Sequence, residues 1–151
     1  NENGWWVADI IHGRWDIKKT AKKIFDAVER YRPVAVGIEK GALKNAVLPY
    51  LTDIMKSSQR FFRVEELTHG NKKKTDRVVW GLQGRFEHGQ ITLNEGSWNA
   101  QFLDELFQFP NALVHDDLVD ALAYIDQLAK VSYYYEYEED DFEILDPVAG
   151  Y

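Results

Sequence analysis

Residues 34–39 read Val34-Ala35-Val36-Gly37-Ile38-Glu39, the most hydrophobic short run of the chain, and it closes on an acid. Pro33 precedes the run and Lys40-Gly41 follows it. A brief continuous apolar segment bounded this way is the pattern of a strand buried on both faces, as parallel strands are when helices cover their sheet. Glu39 then stands at the carboxyl end of that strand, where open α/β sheets gather their ligands.

Working outward from this strand, the periodicity alternates. Upstream, Asp16 stands as N-cap before Ile17, Ala21, Ile24, Phe25, Val28 and Tyr31, which recur at steps of three and four and predict an amphipathic helix ended by Pro33. Residues 4–14 (GWWVADIIHGR), rich in aromatic and β-branched types, read as a strand. Asn3-Gly4 before it is a hairpin-turn signal, which implies a preceding strand upstream of residue 1. Downstream, Leu43, Val47, Leu48, Leu51, Ile54 and Met55 predict a second helix, kinked or divided at Pro49. A strand over residues 61–67, a helix over 75–87, a strand over 89–93, a helix over 99–109 closed by Pro110 and a final helix over 115–131 complete the order βαβαβαβαα. This is an α/β sheet covered by helices.

Charge divides the 151 residues into a body and a tail. Residues 133–151 hold seven acids with no Lys or Arg, which accounts for the whole net charge of −7, so residues 1–132 carry 18 charges of each sign. A balanced body leaves room for a basic face toward a polyanion. The chain has no Cys, hence no disulfide framework or thiolate zinc site, and a reducing, cytosolic compartment is expected. Its apolar runs fall far short of the roughly 18 residues of a membrane span. Phosphate-loop, nucleophile-elbow and dinucleotide-binding motifs are absent, so nothing points to ATP hydrolysis, a serine nucleophile or a dinucleotide.

Three groups of residues could carry chemistry. Glu39 is the first. The second is His115-Asp116-Asp117-Leu118-Val119-Asp120, in which Asp116 and Asp120 are four apart and Asp117 and Asp120 three apart, so a helix projects the three carboxylates to adjoining faces at one end. Helix capping accounts for one or two of them; it does not account for Asp120, on a helix otherwise rich in Ala and Leu. A hard cation such as Mg²⁺ would relieve their repulsion. The third is the densest positive stretch, with Lys72, Lys73, Lys74, Arg77 and Arg85, suited to phosphate contacts. His12, His69 and His88 lack metal-ligand spacing, and the five tryptophans are expected in the core.

Four segments taken together resemble a known family: WWVADIIHGRW (5–15), VAVGIEK (34–40), KKKTDRVVWGLQGRFEHGQITL (72–93) and HDDLVDALAY (115–124). Over about residues 4–129 the chain resembles the C-terminal nuclease domain of phage terminase large subunits, DNA-packaging motor proteins of the ribonuclease H-like, resolvase-related superfamily. The resemblance implies a ribonuclease H-like mixed sheet flanked by helices, here lacking its first two strands, with an N-terminally incomplete nuclease domain over 1–132 and an acidic Tyr-rich tail over 133–151. It makes Glu39 the second member of the acidic cluster and the Asp116/Asp117 pair the source of the third. Asp117 is the favoured ligand, because the resolvase relatives show a similar Asp-x-x-Asp-Ala-Leu spacing that Asp117 and Asp120 would match; Asp116 would then stand behind it. The first catalytic Asp would lie upstream of residue 1, since Asp9 is expected to pack or pair with Arg14, and this stretch alone would be inactive.

The implied reaction is endonucleolytic phosphodiester hydrolysis with two Mg²⁺ or Mn²⁺ ions about 4 Å apart, the acids serving as ligands. Residues 72–77 would hold the DNA backbone without reading bases. The implied partners are double-stranded DNA, an upstream ATPase domain of the same polypeptide, the portal and the small terminase subunit. No membrane is implied, and the setting is the host cytoplasm. Two other readings stand beside this one: a resolvase or transposase of the same fold, and a non-catalytic adaptor that docks through its acidic tail.

Overall fold

The computed structural model describes residues 4–68, 73–111 and 113–129. Its elements in chain order are β1 (Trp5–Val7), α1 (Ile17–Tyr31), β2 (Val36–Glu39), α2 (Ala42–Ser58), β3 (Val64–Leu67), α3 (Lys74–Val78), a π-helical segment (Val79–Gln83), α4 (Gly84–Glu87), β4 (Ile91–Leu93), α5 (Asn99–Gln108) and α6 (Asp117–Ala123). The α/β alternation expected from the periodicity is present. No helix among the described residues is long and apolar enough to cross a membrane. The acidic tail and Lys72 lie outside the described residues, as do Asn3 of the expected turn and His69.

Local chemistry sets the helix ends. Asp16 caps α1, its carboxylate accepting the Lys19 N–H at 2.7 Å. At the other end Arg32 turns left-handed (φ 46°) and donates its N–H to the Val28 carbonyl at 2.8 Å, after which Pro33 prevents continuation. The expected division of the second helix does not occur: α2 is one segment through Pro49. Pro49 and Asn45, whose carbonyl loses its helical donor, both lie on the exposed side, where water can replace the missing bond.

The strands pair in two parallel sets, β1 with β4 and β2 with β3, and among the described residues no strand joins the sets and none is antiparallel. The mixed sheet implied by the resemblance is thus represented by two parallel pairs. Strand lengths follow the partners. The expected strand over 4–14 shrinks to Trp5–Val7, because β4 ends at Leu93 and Asn94 closes the ladder, its N–H bonding the Val7 carbonyl at 2.9 Å and its side-chain amide the Ala8 carbonyl at 3.2 Å. Beyond that point Asp9, expected to pack or to pair with Arg14, accepts from the Tyr31 hydroxyl at 2.8 Å.

Two cores result. Ala21, Ile38, Val47 and Leu51 pack α1 and α2 against one face of β2–β3. Val78, Leu82, Trp98, Phe102, Leu118, Val119, Leu122 and Ala123 form the other, against β1–β4. Truncating fully buried Phe102 to Ala would cost about 3–5 kcal/mol. Trp98 is in the core as expected, but Trp6 and Trp80 are 67% and 77% exposed, because each projects from the side of its element opposite the core residues.

The final helix also departs from its pattern. Instead of one run over 115–131 it starts at Asp117, breaks at Tyr124 and resumes over 125–129. Past the break, the Gln127 side-chain amide bonds the backbone of Thr68 in both directions, accepting the N–H at 3.2 Å and donating to the carbonyl at 2.8 Å. This reciprocal pair fastens the end of the final helix to the carboxyl end of β3.

Candidate functional site

The β2–β3 register pairs Ile38 with Glu66 and Glu39 with Leu67. Ile38 faces the α1–α2 core, so alternation sends Gly37 and Glu39 to the opposite face. That face is close-fitting: a Cβ at Gly37 would stand 2.6 Å from the Leu67 Cδ1. Glu39, the last residue of β2, is exposed at the sheet's carboxyl edge.

The final helix brings Tyr124 to this edge. Tyr124 is only 5% exposed, and its hydroxyl hydrogen-bonds the Glu39 carboxylate. Burial raises the phenol's pKa; Glu39 and Asp120 raise it further against the opposing pull of Arg77, and it stands at about 12. Tyr124 is therefore a neutral donor at any ordinary pH. The Arg77 guanidinium lies over its ring at 4.6 Å, a cation–π contact, and pairs with the Asp120 carboxylate.

The three aspartates separate. Asp116 has the N-cap position of α6, yet its side chain makes no cap bond; it accepts from Lys74 Nζ at 2.6 Å. Asp120 joins the same ammonium at 3.5 Å, in addition to Arg77. Burial works against the charge of Lys74, but the hydrogen bond to Asp116 and the field of Asp120 outweigh it and hold its pKa above the usual lysine value. Asp117 is elsewhere. Its side chain is 81% exposed, 4.0 Å from His115 Nδ1, on the rim of a cleft of about 380 Å³ lined also by His12, Arg14 and Trp15. Asp116 and Asp120 thus share the α3 side of the helix, linked through Arg77 and Tyr124 to Glu39, and Asp117 does not join them.

The basic stretch divides in the same manner. Lys73 is exposed and Lys74 bridges two carboxylates. Arg77, expected to meet DNA, is 7% exposed beneath α6. Arg85 pairs with Asp126 at 3.0 Å and stacks on Trp5 at 4.1 Å. Both arginines fasten the final helix to its neighbours. Sequence reasoning passed over Tyr124 and Glu105; the signals were a polar-tipped residue four after Asp120 on an apolar helix and an acid inside the apolar stretch of α5.

The carboxylates are of the oxygen-donor type that Mg²⁺ and Mn²⁺ take. Among the described residues, however, no three His, Asp or Glu side chains gather to hold an ion, and the oxygens of Asp116 and Asp120 are engaged by Lys74 and Arg77.

Comparison with known proteins settles the family. The model of the terminase RNaseH-like domain matches residues 1–127. The chain belongs to that family. No curated protein and no solved structure matches it. A terminase RNaseH-like domain is, as a class, a nuclease of DNA packaging, and RNaseH-like nucleases typically use divalent metal ions. The family match spans both strand pairs and both parts of the final helix down to Gln127, so Glu39, Asp116, Asp117, Asp120 and Tyr124 all fall inside the terminase RNaseH-like domain.

Proposed function

We propose that this chain is the endonuclease part of a viral genome-packaging terminase large subunit, cutting concatemeric double-stranded DNA by phosphodiester hydrolysis that depends on Mg²⁺ or Mn²⁺. One observation carries the reading. The acid that ends the most hydrophobic strand, Glu39, and the acids that open the final helix converge from distant parts of the chain on one edge, joined through Tyr124 and Arg77. A stabilising cap would need no such convergence.

In this reading Glu39 and Asp120 are the acids nearest the reaction, Asp116 supports them through Lys74, and Asp117 is the remaining candidate from the motif. Lys73, with Lys72 and the exposed part of Lys74, holds the DNA backbone by charge, so cutting is weakly sequence-specific. An ATPase domain of the same polypeptide, the portal and the small terminase subunit complete the assembly in the host cytoplasm.

The test is plasmid cleavage by the natural full-length polypeptide in Mg²⁺ or Mn²⁺, beside Glu39→Ala. Cleavage that is lost on chelation and on substitution supports the reading. No cleavage by the folded polypeptide, or undiminished cleavage by the variant, overturns it.

A further inference from the structure

An exposed carboxylate at a strand end samples several rotamers, and fixing one of them has an entropic cost. Glu39 is in that position, yet it accepts a hydrogen bond from Tyr124, whose ring is buried and whose own position is over-determined. One contact holds the tyrosine ring directly and two hold its surroundings. Arg77 of α3 covers one side of the ring at 4.6 Å; Asp120, one helical turn earlier, holds that guanidinium; and Gln127 ties the following segment to Thr68 beside β3. The hydroxyl is thereby delivered to the end of β2 by an arrangement that involves α3, α6 and β3.

We infer that Tyr124 is a positioning residue of the nuclease: its hydroxyl fixes the rotamer of the Glu39 carboxylate, and the Arg77–Asp120 pair fixes the tyrosine. The inference rests on the nuclease reading of Glu39. The phenol is the donor of this bond, since a carboxylate offers only acceptor oxygens. It touches neither DNA nor the scissile bond; it acts through Glu39. A tyrosine kept only for packing would use its ring and would need some acceptor for its hydroxyl, but the rate of cleavage would not depend on that acceptor.

Tyr124→Phe separates these roles because it retains the ring and its contact with Arg77. In the natural full-length polypeptide, with Mn²⁺ and plasmid DNA, kcat is expected to fall about 10- to 100-fold, the range typical when a partner that orients a reacting group is removed. KM for DNA and the melting temperature should remain near the wild-type values. Glu39→Gln is measured alongside. If Glu39→Gln cleaves like wild type, the nuclease reading of Glu39 fails. If Glu39→Gln loses cleavage while Tyr124→Phe keeps the wild-type kcat, the positioning role fails and the nuclease reading stands. Should Tyr124→Phe melt lower, Tyr124→Leu, which also lacks the ring, sets the scale of a purely structural loss: equal kcat for both variants at a temperature where each is folded confirms that the hydroxyl is what matters, and a kcat that falls only with loss of the ring overturns the role.

Discussion

The Glu105 carboxylate on α5 accepts the backbone N–H of Leu118 at 2.8 Å, filling the place that the Asp116 side chain leaves at the start of α6. Glu105 is 4% exposed, and Gln101 donates to its other oxygen at 3.4 Å. The first turn of a helix presents N–H groups that need acceptors, and a neighbouring helix here supplies one. Asp116 is consequently released to Lys74.

Glu105→Ala should therefore cost about 1–3 kcal/mol, because it leaves a buried N–H without its acceptor. Glu105→Gln keeps an acceptor oxygen and should cost less. Urea denaturation gives the stabilities, and faster amide exchange at Leu118 in the alanine variant would locate the loss at the helix start. Equal stability for wild type and the alanine variant would refute the capping role.

Asp120 and Asp117 should differ in what their removal does. Asp120→Asn is expected to lower plasmid cleavage by the full-length polypeptide at least about tenfold, since it withdraws the carboxylate that holds Arg77 against Tyr124. Asp117→Asn, at an 81% exposed side chain outside that network, should stay within about threefold of wild type. The opposite ranking would restore Asp117 as the acid that matters.

Lys73 and Arg85 should report on different properties. Alanine at exposed Lys73 should weaken binding to any DNA sequence and reduce the dependence of log K on log salt by about one. Arg85→Ala should leave that slope unchanged and lower the melting temperature, because Arg85 is committed to Asp126 and the Trp5 ring. A salt titration of duplex binding beside a thermal melt separates the two. A changed slope in the Arg85 variant would place that residue on the DNA.

On the face of β3 away from the acidic edge, Glu66 meets Lys44 and Lys40. Its hydrogen bond with Lys44 holds its pKa below the ordinary glutamate value, against a smaller effect of burial. A carboxyl whose pKa is lowered on folding contributes fully above its unfolded pKa of about 4.3, and the contribution disappears as pH falls through the folded value. Glu66→Gln should remove this part of the acid sensitivity, so that its stability loss relative to wild type is present at pH 7 and absent near pH 2. Parallel pH–stability curves would refute it.

Much of this was legible in the sequence because it depends on neighbours along the chain. The helix over α1, with Asp16 as cap and Pro33 as stop, and the apolar strand ending on Glu39 follow from periodicity and local backbone chemistry. So does the presence of three aspartates at one end of the last helix, and the four-segment resemblance led to the family that the comparison shows. What only the tertiary structure decided depends on partners distant in sequence. The β1 ladder is as short as β4 allows, and the final helix breaks at Tyr124 beside its tie from Gln127 to Thr68. Arg77 and Arg85, identical in kind to DNA-binding cations, become internal fasteners because Asp120 and Asp126 meet them from more than 40 residues away. Asp116 and Asp117 are adjacent in sequence, yet they are assigned to opposite sides by one lysine on α3 and one glutamate on α5. Spacing fixes which faces a helix offers; which face meets a cation, a carboxylate or water depends on the elements packed against it.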